Sequence, residues 1–195
     1  MKKRMNSGLR ALLASILIII TVMSLSGCLF NAPPEDPNAP KPIPMDQLSE
    51  DDRAAADALI KYFDAYSAKD VETMADSLCS DCRLRQLNEA NGATRDNFVE
   101  LMKGNVSATD AEFGENAKMM YDKDTMTVTN ADEYVETLNE EFRIDTANEP
   151  AVDMARIVTA TVWFEVAFGN QEGTETGSML VYRYNNEWFV YGYAG

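Results

Sequence analysis

Residues 46–195 predict an α+β domain, with N-terminal helices followed by an antiparallel meander supplied by the last third of the chain. Two observations carry this. Between residues 52 and 103 the apolar side chains recur at spacings of three and four, the period of an amphipathic helix. After residue 156 the spacing falls to two, and short turn sequences divide the run into segments, as in half-buried antiparallel strands. Helices followed by a meander is the α+β order. A domain of about 150 residues is large enough to close one hydrophobic core.

The elements follow in order. Ser49 and Asp52 resemble a capping box, and behind them Ala55, Ala58, Leu59, Tyr62, Phe63 and Tyr66 form one helical face. Asp70 suits the N-cap of a second, shorter helix carrying Val71, Met74, Ala75 and Leu78. A third helix is expected over 94–103, burying Phe98, Leu101 and Met102. The stretch 110–129 reads equally as helix or strand. Asn130 and Glu133 again resemble a capping box, opening a helix with Ala131, Tyr134, Val135, Leu138 and Phe142 inward. A long strand is expected over 156–168. Its even positions Val158, Ala160, Val162, Phe164, Val166 and Phe168 make an apolar face, and Thr159, Thr161, Trp163 and Glu165 take the other. A turn at 170–173 leads to a strand over 174–184. Asn185-Asn186 is a two-residue hairpin signal, because Asn tolerates the positive φ of a type I′ turn. The last strand is expected over 188–193.

The N-terminus has a different character. Lys2, Lys3, Arg4 and Arg10 precede an uncharged apolar run over 11–25, the layout of an export signal. At about 15 residues the run is short for a spanning helix. It ends in Leu25-Ser26-Gly27-Cys28, which resembles the lipobox of bacterial lipoproteins. That resemblance implies removal of residues 1–27 and a diacylglyceryl group, with chains of the palmitate kind, on the thiol of Cys28. The partner it implies is a membrane, met through the lipid on Cys28 at the extracytoplasmic face. Two or three acyl chains hold a protein to a bilayer stably, where one does not. The competing reading is an uncleaved apolar anchor in which Cys28 is incidental. Residues 28–45 hold six of the seven prolines and few apolar side chains, so they suit an extended, semi-rigid tether of about 3 Å per residue.

Composition narrows the chemistry. The chain has 17 basic and 32 acidic residues, a net charge of −15, and loss of 1–27 removes four of the basic ones. So acidic a surface lacks the cations that phosphate contacts need, which argues against nucleic acid. Solubility is the plain reading of the acidity. Histidine is absent, and with it the commonest general base, metal ligand and nucleophile partner.

Three stretches carry a second resemblance. They are the helix–break–helix of 58–78 around Lys69-Asp70, the long strand over 156–168, and the closing Asn185-Asn-Glu-Trp-Phe-Val-Tyr-Gly-Tyr. Together they resemble the nuclear transport factor 2-like (SnoaL-like) superfamily. The resemblance implies a sheet curved into a cone, with helices 52–66 and 131–142 on its concave face, and a pocket for a small apolar or amphipathic ligand. That family's enzymes set an Asp base beside a His or Tyr. Here His is missing and no Asp aligns with the base.

Two kinds of site residue stand out. Cys79 and Cys82 lie at the end of the second helix. With no second cysteine pair and no His to complete a zinc site, a local disulfide is the plain reading in an oxidising compartment, against a free thiol pair or a redox centre. Tyr62, Tyr66, Trp163, Tyr182 and Trp188 could line a ligand pocket, or else serve as sheet core and cross-strand pairs. The expected function is that of a lipid-anchored module binding a small ligand or an envelope protein, with no cofactor and no metal. The alternative is an isomerase or dehydratase built on carboxylate and Tyr groups.

Overall fold

The computed structural model describes residues 41–194 as an α+β domain. We number its helices α1 (Glu50–Ser67), α2 (Val71–Leu78), α3 (Asp81–Asn91), α4 (Arg95–Phe113) and α5 (Val135–Glu141). The strands are β1 (Ile43–Pro44), β2 (Lys118–Tyr121), β3 (Thr127–Asn130), β4 (Val152–Glu165), β5 (Gln171–Tyr184) and β6 (Glu187–Tyr193). They form one antiparallel sheet ordered β1-β3-β4-β5-β6, with β2 also paired to β4. β3 and β2 take successive stretches of the same edge of β4, opposite residues 156–159 and 162–165.

Local chemistry starts and stops the elements where expected in several places. The Asp52 amide donates to Ser49 Oγ at 3.2 Å and caps α1, and the Thr73 amide donates to Asp70 Oδ1 at 3.1 Å and caps α2. Asn185 and Asn186 take φ of 52° and 63°, the left-handed pair that joins β5 to β6.

Other expectations are corrected. α4 runs ten residues past 103, to Phe113. The ambiguous stretch divides into the end of α4 and the short strands β2 and β3. Asn130 ends β3 and accepts from the Asp132 amide at 3.0 Å, so no capping box forms there, and a 3₁₀ turn at Asp132–Tyr134 precedes α5. α3 was not foreseen. Ser80 caps its start, Gly92 at φ 72° closes its end, and Cys82 is its one buried side chain. β4 begins at Val152 and ends at Glu165, before the 3₁₀ turn Ala167–Gly169. Ile43 and Pro44, expected in the tether, pair with Val128 and Thr127 on β3.

Both faces of the sheet are covered. On one, Val158, Ala160, Val162 and Phe164 of β4 meet Met179 and Val181 of β5 and Val190 of β6, beneath α1, α2 and α4. On the other, Ala155, Leu180 and Tyr182 pack with Leu138 and Phe142 of the α5 region. Alternation along each strand separates the two clusters. α5 therefore does not share the face of α1, as the resemblance implied. The reason is that Leu138 and Phe142 follow Tyr182, whose side chain points the opposite way from Val181.

Candidate functional site

The side chains that α1 lays on the sheet fill the space beneath it. Tyr62 and Tyr66 are both 6% exposed, and the Tyr66 hydroxyl lies 2.6 Å from Thr109 Oγ1 on α4. The Tyr66 ring packs at 6.4 Å on Phe164, which stacks on Phe113 at 4.5 Å. Burial raises the hydroxyl pKa of Tyr62 and Tyr66. These two tyrosines are core.

The five aromatic candidates do not converge. Tyr182 is fully buried on the opposite sheet face, 5.2 Å from Phe142, with its hydroxyl 2.7 Å from Ser80 Oγ. Trp163 pairs with Met120 on β2, out of phase with Val162 and Phe164. Of the five, Trp188 lines the open cleft of about 580 Å³ between α1, the α2–α3 joint and the β5–β6 hairpin.

Each wall of this cleft has a local cause. From α1 come Ala54, Asp57, Ala58 and Lys61, one stripe at i, i+3, i+4 and i+7, in which two alanines leave room. From the hairpin come Tyr184, Glu187, Trp188 and Phe189, which the Asn185-Asn186 turn brings back beside α1. From the joint come Asp76, Cys79 and Asp81. Arg183 steadies the Trp188 ring, its guanidinium 6.0 Å from the ring centre and bonded to Asp51 at 2.8 Å and Asp153 at 2.9 Å. Arg95 holds Asp76 at 2.6 Å. Asp57, Asp81, Glu187 and Lys61 make no ion pair among the described residues. The cleft is thus aromatic on one wall and net acidic.

The expected disulfide is not formed in this structure. Cys79 and Cys82 are free thiols. Cys79 ends α2, while Cys82 stands in the first turn of α3, not at a helix end as expected. Between them Ser80 is extended (φ −68°, ψ 155°) and occupied as the α3 N-cap. Its hydroxyl lies 3.1 Å from Cys82 Sγ in a buried spot, whereas Cys79 looks into the cleft. Burial pushes the Cys79 thiol up to about 12 and raises Cys82 against the hydrogen bond from Ser80. A redox centre needs the reverse, a thiolate favoured by its surroundings.

A third cluster went unforeseen. Arg156, 7% exposed, donates Nε to Asp52 on α1 and Nη1 to Asp132 Oδ1 at 2.7 Å. Burial alone would raise Asp52, but hydrogen bonds from Arg156 and Ser49 outweigh it and hold the carboxyl below its ordinary value. Asp132 is likewise lowered against burial, by the Ala155 amide, Asn130 and Arg156. Neither carboxylate is a base poised near neutrality. Among the described residues no cluster of three metal-ligating side chains occurs, and no helix is long and apolar enough to cross a membrane. Cys28, residues 1–27 and most of the proline-rich stretch lie outside the described residues.

No protein-family model matches the chain, nor does any curated protein or solved structure in the comparisons made.

Proposed function

We propose that this chain is a lipid-anchored extracytoplasmic binding module, held to the cell membrane through Cys28 and engaging a small ligand or an envelope protein at the α1–hairpin cleft. The observation that carries the binding half is where free space lies. The sheet–helix interior is occupied by Tyr62, Tyr66, Phe164 and Phe113, whereas the cleft of about 580 Å³ opens outward. That volume lies within the range of small-molecule sites. The anchoring half rests on the Leu25–Cys28 box and the apolar run before it. Helices followed by long hairpins support the nuclear transport factor 2-like reading of the fold, in a version whose cone is closed by its own side chains.

The isomerase or dehydratase alternative is less well supported. It calls for a buried carboxyl with raised pKa facing a Tyr, whereas Asp52 and Asp132 are lowered and committed to Arg156. Metabolic labelling with a fatty-acid analogue tests the anchor. The wild-type chain should carry label in the membrane fraction, and Cys28→Ser should carry none and keep residues 1–27. Continued labelling of Cys28→Ser would overturn it.

A further inference from the structure

If the module acts through this cleft, its walls also select what enters. We propose that the cleft takes an organic ammonium ion borne on a small apolar body, seated against Trp188 with Asp57 and Glu187 as its counter-charges; this rests on the cleft being the binding site.

The size and shape come first. A concavity of about 580 Å³ with an aromatic wall suits a small molecule or one protruding side chain better than a flat protein face. The ring of Trp188 already has a cation, Arg183, 6.0 Å from its centre, and Trp is the side chain whose face attracts cations most strongly. Arg183 is itself bound to Asp51 at 2.8 Å and to Asp153 at 2.9 Å, and its charge is offset there. It therefore fixes the ring without supplying charge to the cleft.

Charge then sets the sign of the ligand. Asp76 is matched by Arg95, and Asp81 opens α3, where the helix dipole compensates it. Asp57 and Glu187 remain, on opposite walls, with Lys61 as the one basic side chain lining the cleft. An anion would meet two carboxylates, Asp57 and Glu187, against the single ammonium of Lys61. A neutral apolar ligand would strip water from them with nothing in return. A small metal ion finds no group of three ligands among the described residues. An alkylated ammonium ion is weakly hydrated, so it can leave water for an aromatic wall, and its apolar body covers Ala58 and Phe189. The acidic field of the whole chain, −15, draws such ions in.

The test uses the full chain in detergent with Trp163→Phe, which leaves Trp188 as the only tryptophan of the two. Choline is titrated against 3,3-dimethyl-1-butanol, its uncharged counterpart of the same shape, and emission is followed. The expected result is a saturable change with choline at least tenfold tighter than with the alcohol. The Asp57→Asn, Glu187→Gln double variant should erase that difference and leave the weak binding of the alcohol in place. A short peptide with one trimethyllysine between apolar residues separates the sources: tighter binding of the peptide than of choline points to a protein segment, the reverse to a free small molecule. Equal affinity for choline and the alcohol would overturn the proposal while leaving the cleft as a binding site. No saturable change with any of the three probes would overturn it too, and labelling at Cys28 would still judge the anchor separately.

Discussion

Arg156→Met should be among the most destabilising single changes in the domain. The guanidinium is 7% exposed, bonded to Asp52, to Asp132 at 2.7 Å and to the Ala155 carbonyl at 2.7 Å. Removing it leaves Asp52, 9% exposed, with only the Ser49 hydroxyl at 2.7 Å. Breaking a buried pair costs about 3–5 kcal/mol. Asp132 is 45% exposed and regains water, so we take the lower end, about 3 kcal/mol. At about 2–4 °C per kcal/mol this lowers Tm by about 6–12 °C. The double variant Asp52→Leu, Arg156→Met should recover most of the loss, because an apolar pair of similar volume replaces the ions. The pH dependence has a definite sign. Asp52 and Asp132 are depressed in the folded state, so their contribution is full above the unfolded value of about 3.9 and is lost as pH falls through the folded values. The gap between wild type and Arg156→Met should therefore be full at pH 7 and narrow as pH falls below about 4. Urea denaturation at pH 7 and pH 3 reads both effects. A loss under about 1 kcal/mol at pH 7, or additive single variants with no recovery in the double, would show that the Arg156 ion pairs do not stabilise the fold.

Tyr66→Phe removes the 2.6 Å contact with Thr109 inside the core and should cost about 1 kcal/mol by urea denaturation; no change would show that the bond contributes nothing. Phe164→Ala should cost about 3–5 kcal/mol and open a void that takes up benzene, raising the variant's Tm but not that of wild type; benzene stabilising wild type equally would reveal an interior pocket. At pH 8 a thiol reagent should label Cys79 and Cys82 slowly in the folded protein and rapidly in urea, since burial disfavours both thiolates. Resistance in urea until reductant is added would instead show a disulfide in the isolated protein.

Much of this fold was legible because the same residues satisfy two demands at once. The three-and-four spacing of Ala55, Leu59, Tyr62, Phe63 and Tyr66 is both a helical period and the buried face of α1. The alternation from Val158 to Phe164 likewise gives both the strand and its core side. α3 left no such trace. It rides the sheet edge through Arg83, which donates to the Val190 carbonyl at 3.2 Å and stands 5.0 Å over Tyr191, so burial of apolar side chains does not define it. Its signal was in its caps, Ser80 and Gly92. Alternation also assigns two faces without saying what covers each. That is why the sequence alone does not separate Tyr182 and Trp163 from Tyr62 and Tyr66, although the sheet lies between them. The cleft was hidden for a further reason: its walls come from three segments more than a hundred residues apart in all, joined by the unforeseen α2–α3 break. A stripe of small residues beside unpaired charges, Ala54, Asp57, Ala58 and Lys61, was the trace it left.

The proposed function places binding in the outward cleft and not beneath the sheet. Thermal unfolding of wild type and Ala58→Trp, each with and without a panel of small amphipathic cations and neutral compounds, tests this most directly. Ala58 is partly exposed on the cleft wall, so an indole there fills the concavity without entering the core. A ligand that binds only the folded state raises Tm by mass action, by about 2.7 kcal/mol of stability at a hundredfold excess over Kd. Compounds which stabilise wild type should lose that effect in Ala58→Trp, whose ligand-free Tm should stay within a few degrees of wild type. Stabilisation that survives the block unchanged, or none in wild type across the panel, would contradict it.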